Sequence, residues 1–74
     1  MKYAVLLTCV GGEYGPELIN QLKTAYRDLR VIGVDADSGA IGSSFADYFY
    51  QVPTGDDPKY IGRINEIVHE QKLT

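Results

Sequence analysis

The sequence predicts a small α/β domain in three layers, with a parallel sheet of about three strands between two main helices. Three observations point there. The run Tyr3-Ala4-Val5-Leu6-Leu7-Thr8-Cys9-Val10 is apolar without alternation, which suits a strand covered on both faces of a parallel sheet. Two proline-led stretches carry apolar residues at helical spacing. Each lies beside a short β-branched or aromatic run of strand chemistry. With 74 residues, the chain has room for a single core. A domain of this size buries only about 60% of its unfolded surface, so every element has to contribute to that core.

The first strand stops at Gly11-Gly12. Gly15-Pro16-Glu17 then starts a helix, because proline has no N–H to leave unpaired at the first helical position and an acid favours the positive end of the macrodipole. Leu18, Ile19, Leu22, Ala25, Tyr26 and Leu29 supply one apolar stripe, and Arg27 and Arg30 favour the C-terminal end. Val31-Ile32-Gly33-Val34 is a second strand, followed by the loop chemistry of Asp35-Ala36-Asp37-Ser38-Gly39. This closes a βαβ unit whose right-handed crossover places both strand C-termini, and hence the Gly-Gly loop and Asp35, on one edge of the sheet.

Residues 40–47 have room for one or two helical turns. Tyr48-Phe49-Tyr50-Gln51-Val52 then forms a third strand that Pro53 ends. Asp57 as N-cap and Pro58 at the first position start a second helix, with Tyr60, Ile61, Ile64, Ile67 and Val68 as its stripe, running to about Gln71. In a doubly wound sheet the third strand lies outside the second, and a fourth would return to the far side of the first. Without that fourth strand the most apolar strand is an open edge, which proteins normally pair, cover or charge. The expectation is an incomplete doubly wound sheet. The 74 residues are then one domain of a longer chain, or the edge is covered by a strand from another molecule, self-association included.

Seven basic against ten acidic residues, with no basic run, argue against a nucleic-acid or anionic-membrane surface. The apolar run 3–10 is too short to span a bilayer and lacks a cleavage signature. A single cysteine, Cys9, forms no intrachain disulfide, and Cys and His are too few for a zinc cage. A reducing, cytoplasmic setting is expected.

The Gly-rich loop is the first place to look for chemistry, since glycines after a strand let backbone N–H groups approach an anion at a helix N-terminus. A dinucleotide fold asks for G-x-G-x-x-G. Aligning its last two glycines with Gly12 and Gly15 puts the first on Val10, which breaks the pattern at the tight turn. Asp35, about 20 residues on, matches the ribose-binding acid of the intact motif but also ends such strands without a cofactor. Glu13 and Tyr14 are placed to project a carboxylate and a phenol beyond the strand ends, or are simply solvated. Asp35 and Asp37 as a pair suit a metal, a ribose or turn capping. Cys9 reads as a small buried hydrophobe, because no nearby His activates it. His69 suits the C-terminal end of its helix. Tyr48, Tyr50 and Tyr60 read as packing around the third strand, and Asp47, Asp56 and Asp57 as turn and cap residues. The scan yields no catalytic residue and no metal site.

Val10-Gly11-Gly12, then Pro16-Glu17-Leu18-Ile19 and Leu22-Lys23, then Val31-Ile32-Gly33-Val34-Asp35-Ala36-Asp37, closely resemble the start of ATP-grasp enzymes related to the carbamoyl phosphate synthase large subunit. Ser44-Phe45-Ala46-Asp47, Phe49-Tyr50, Val52-Pro53 and Asp56-Asp57-Pro58 with Tyr60-Ile61 look like that family's link between second strand and second helix. The resemblance implies a pre-ATP-grasp domain, a Rossmann-like unit that precedes the two lobes clamping ATP. It implies a parent that uses ATP and magnesium to activate a carboxylate as an acyl phosphate for attack by an amine. The lobes that bind ATP and metal are its expected partners, and this segment alone is expected to be inactive and to hold no cofactor. Gly11, Gly12, Glu13 and Asp35 would face the acceptor-substrate side of the cleft. Two other readings stay open: a dinucleotide-binding domain of an oxidoreductase, and a small interaction module that self-associates through the edge of its first strand.

Overall fold

The computed structural model describes residues 3–8, 10, 14–37, 39 and 45–73. The elements run β1 (Tyr3–Leu7), α1 (Gly15–Ala25), β2 (Leu29–Asp35), β3 (Tyr48–Gln51) and α2 (Tyr60–Glu70). The strands form one parallel sheet in the order β1-β2-β3, with Tyr3 opposite Leu29 and Ile32 opposite Tyr48. The small α/β, Rossmann-like architecture is therefore present. β1 lies at one edge and has no strand on its outer side among the described residues.

The side-chain period of two in each strand divides the core between the sheet's two faces. On one face Leu29 and Val31 of β2 pack with Val10 and with Ile19 of α1, joined by Val5, Leu7, Leu22 and Phe49. On the other, Ile32 and Val34 pack with Val52 and with Ile67 of α2, joined by Ala4, Leu6, Tyr50, Tyr60 and Ile64. β2 contributes to both cores.

Several boundaries differ from the sequence reading, for physical reasons. β1 ends at Leu7 rather than Val10. Val10 has left the ladder, and its N–H bonds Val34 O at 3.3 Å. Helix α1 stops at Ala25, because Tyr26 turns extended at φ -131° and ψ 91°. Leu29 is consequently the first residue of β2, 4% exposed opposite Tyr3, and not the last of the helical stripe. The expected start of the second helix at Asp57-Pro58 is a separate turn, in which Asp57 Oδ1 accepts the Lys59 N–H at 2.8 Å and Asp57 O accepts the Tyr60 N–H. Ile61 is 66% exposed and Leu18 45% exposed, so both helical stripes are narrower than their spacing suggests. Of the one or two turns expected at 40–47, residues 45–47 are turn and bend, and 40–44 lie outside the described residues.

α2 ends in a Schellman motif, with Leu73 N–H on Val68 O and Lys72 N–H on His69 O. Lys72 takes the left-handed conformation this requires, at φ 56°, and Leu73 tucks against the α2-side core. Arg30 on β2 grips this end, donating to Gln71 Oε1 and, at 2.8 Å, to Gln71 O. Gln71 Nε2 in turn donates to the Tyr50 hydroxyl at 2.7 Å, and the Arg63 guanidinium lies 5.5 Å from the centre of the same ring.

Candidate functional site

The C-terminal edge of the sheet carries Val10, Gly15 and Asp35 of the residues that the sequence singled out. Gly15 opens α1 so close to the preceding loop that a Cβ there would stand 2.1 Å from Val10 O. Glycine is required at this position for helix and loop to meet, the part played by the last glycine of a phosphate-binding fingerprint. Val10 occupies the place of that fingerprint's first glycine and is 1% exposed. Its two methyls lie over Gly33, 3.1 and 3.2 Å from where a Cβ would stand. The position has become a core anchor, which removes the small residue that a tight dinucleotide turn uses.

Asp35 closes β2 and is half-buried. Its Oδ1 accepts the Asp37 N–H at 2.9 Å, and Asp37 Oδ1 accepts the Gly39 N–H at 2.9 Å. The two acids form consecutive Asx turns that hold the loop after β2. Gln51 Nε2 reaches across from β3 to Ala36 O at 3.0 Å, and Val52 N–H bonds Asp35 O at 2.9 Å. Between the loops after β2 and β3 lies a crevice of about 260 Å³, lined by Val34, Asp35, Val52, Pro53, Thr54 and Tyr60. Its mainly apolar walls suit an apolar group.

Gly11, Gly12 and Glu13, the other expected substrate-side residues, lie outside the described residues, as does Cys9. The residues on either side, Val10 and Tyr14, both belong to this edge: Val10 bonds the residue before Asp35, and Tyr14 O accepts the Leu18 N–H in the first turn of α1. His69 lies exposed on the last turn of α2. Among the described residues no three of His, Cys, Asp and Glu come together as a metal cluster, and no helix is long and apolar enough to cross a membrane.

Asp47 has a larger part than the turn expected of it. Its Oδ1 accepts from Lys23 Nζ of α1 at 2.6 Å, its Oδ2 from Val31 N–H at 2.8 Å, and its own N–H bonds Val31 O at 2.9 Å. The carboxylate acts as an extra rung of the sheet ahead of β3 and ties that rung to the helix above. Burial raises its pKa, but the hydrogen bonds from Lys23 and Val31 and the charges of Lys23 and Arg30 outweigh burial and hold it below the ordinary 3.8. Lys23 lies 24 residues away in sequence, and no local pattern marks the pair.

The fold defines a small Rossmann-like α/β domain with an open parallel sheet and two helices. The chain belongs to the PylC-like N-terminal domain family, matching it over residues 5–74, and is thus a pre-ATP-grasp domain of the ATP-grasp enzymes. No curated protein matches the chain.

Proposed function

We propose that the chain is the substrate-side N-terminal domain of an ATP-grasp carboxylate–amine ligase of the carbamoyl phosphate synthase type, and that it is not catalytic by itself. The observation that carries this reading is the family match over residues 5–74. ATP and magnesium are held by the remaining lobes of the parent, where a carboxylate is activated as its acyl phosphate for attack by an amine. The residues of this domain bind and orient the acceptor substrate. Gly11 and Gly12 let backbone approach it closely, and Glu13 and Asp35 supply negative charge toward an ammonium or hydroxyl group. The Asp37 N–H, donating to Asp35 Oδ1, holds the Asp35 carboxylate in place.

The test compares this chain with its full-length parent. Calorimetric titration of the 74-residue chain with ATP should give no saturable heat in the micromolar range. In the parent, Glu13→Gln and Asp35→Asn should raise KM for the acceptor about tenfold, the loss of one charge-assisted hydrogen bond, and leave KM for ATP unchanged. Micromolar ATP binding by the isolated chain would overturn the assignment. Saturable NADH fluorescence enhancement that disappears with Asp35→Ala would replace it with a dinucleotide-binding domain.

A further inference from the structure

The crevice between the loops after β2 and β3 is lined by two internal stretches of the chain, 34–36 and 52–60. Val34, Val52 and Tyr60 on its walls also pack in the core cluster around Ile67, so the walls are held in place before any ligand arrives. The two loops are tied together by Gln51 Nε2, which donates to Ala36 O at 3.0 Å, and by Val52 N–H, which donates to Asp35 O at 2.9 Å. Thr54 is engaged as well: its Oγ1 donates to Asp56 Oδ1 at 2.7 Å, and its carbonyl accepts the Asp57 N–H at 2.9 Å. With these polar groups bonded within the domain, the surface left to a ligand is mainly hydrocarbon. A strand added outside β1 would lie on the far side of β2 from this crevice and leave it open.

We propose that this crevice is the subsite for the hydrocarbon side chain of the acceptor amine, an inference that rests on the ligase reading and adds to it the class of acceptor. Open α/β sheets take their ligands beyond the carboxyl ends of the strands. The crevice lies there, since Val34 and Asp35 end β2 and Val52 follows β3. Asp35, assigned above to the acceptor, is itself one of the lining residues, so an amine held by it has its carbon chain beside the apolar walls. Size sets the limit on that chain. A dry cavity of about 150 Å³ admits benzene, and the crevice, at about 260 Å³, has room for a six-membered ring or a branched chain of about five carbons. Burial of each methylene there strengthens binding about fourfold. Ammonia has no chain to bury and gains nothing from the crevice, which therefore selects amines that carry an apolar side chain.

Amide NMR spectra of the 74-residue chain, titrated with isopentylamine and with ethylamine as the short-chain control, test the subsite directly. Shifts are expected at Asp35, Ala36, Thr54, Gly55 and Tyr60, with a dissociation constant of about 1–10 mM for isopentylamine. Ethylamine should bind at least about tenfold more weakly. Gly55→Leu, whose Cβ enters open space beside the crevice, should abolish the preference while the rest of the spectrum stays that of the folded domain. In the full-length parent with ATP, KM should fall about fourfold per methylene from ethylamine to isopentylamine. Gly55→Leu should flatten that slope, whereas Asp35→Asn should raise KM for every amine by the same factor. Equal binding of the two amines, shifts confined to other residues, or a parent indifferent to chain length or to Gly55→Leu overturns the proposal, a crevice filled by another segment of the parent included. A parent that ligates no amine, with isopentylamine still preferred at these residues, removes the ligase reading and supports the hydrocarbon subsite.

Discussion

Removing the Asp47 carboxylate separates a fastening role from a mere turn. Its side chain accepts from Val31 N–H at 2.8 Å and from Lys23 Nζ at 2.6 Å, with 30% of the Asp47 side chain and 33% of the Lys23 side chain exposed. A hydrogen bond to a charged group contributes about 1.5–3 kcal/mol. The partly exposed ion pair adds at most about 1 kcal/mol after solvent screening. Asp47→Ala should therefore cost about 2–3 kcal/mol, a fall in Tm of about 10–20 °C for a domain of this size. Asp47→Asn keeps an acceptor for Val31 and loses the charge, so it should cost only about 0.5–1 kcal/mol. The folded-state pKa lies below the unfolded value near 3.8. The charge-dependent stability is thus fully present above that value and is lost as pH falls through the folded pKa. Urea unfolding of wild type, Asp47→Asn and Lys23→Met across this range is the assay. The gap between wild type and Asp47→Asn should close in acid, and Lys23→Met should make it smaller at neutral pH. An Asp47→Ala loss below about 0.5 kcal/mol, or a gap to Asp47→Asn that persists in acid, would refute the reasoning.

Two glycines should respond in opposite directions to the same substitution when unfolding is followed in urea. Gly15→Ala drives a methyl into Val10 O and should cost about 3 kcal/mol or more. Gly62→Ala, inside α2 with nothing within 4 Å of the new atom, should stabilise by about 0.5–1 kcal/mol. Lys72→Gly relieves the left-handed backbone at φ 56° and should raise the urea midpoint, by the equivalent of about 0.5–1 kcal/mol. Arg30→Met strips both donors from Gln71 and should fray the last turn of α2, read as faster amide exchange at Gln71 through Leu73 with α1 unaffected.

The order of elements, the parallel sheet and the placement of β1 at its edge were legible because they rest on local chemistry: an unbroken apolar run, proline at a helix start, β-branched and aromatic clusters. Boundaries were less so where one residue satisfies two periods. Leu29 continues the spacing of Leu22 toward a helix and equally begins the strand that reaches Asp35, and only the extended backbone at Tyr26 decides between them. Asp57-Pro58 carries a helix-start signature, yet the Asx turn it makes stands just ahead of the helix. At the candidate site, the position of Asp35 and its turn with Asp37 followed from an acid ending a strand. The Asp47 clasp and the Arg30–Gln71–Tyr50 chain did not, because their members are brought together only when separate elements dock. Gly15 was legible as part of a broken fingerprint, but its steric necessity depends on where Val10 lies.

The partition of the core by β2 bears on how the domain comes apart. Val31 belongs to one buried cluster and its neighbour Ile32 to the other, so the two sets of side chains are separated by the sheet and communicate through the backbone of its strands. Loss of α1 would leave the layer around Ile67 with its own packing and with the Arg30 grip on α2 still in place. The reverse event would spare Ile19 and Val10. Such a molecule has two seams along which to open, and the helix that loosens first determines whether the loop after β1 or the loop after β3 is the first to lose its support.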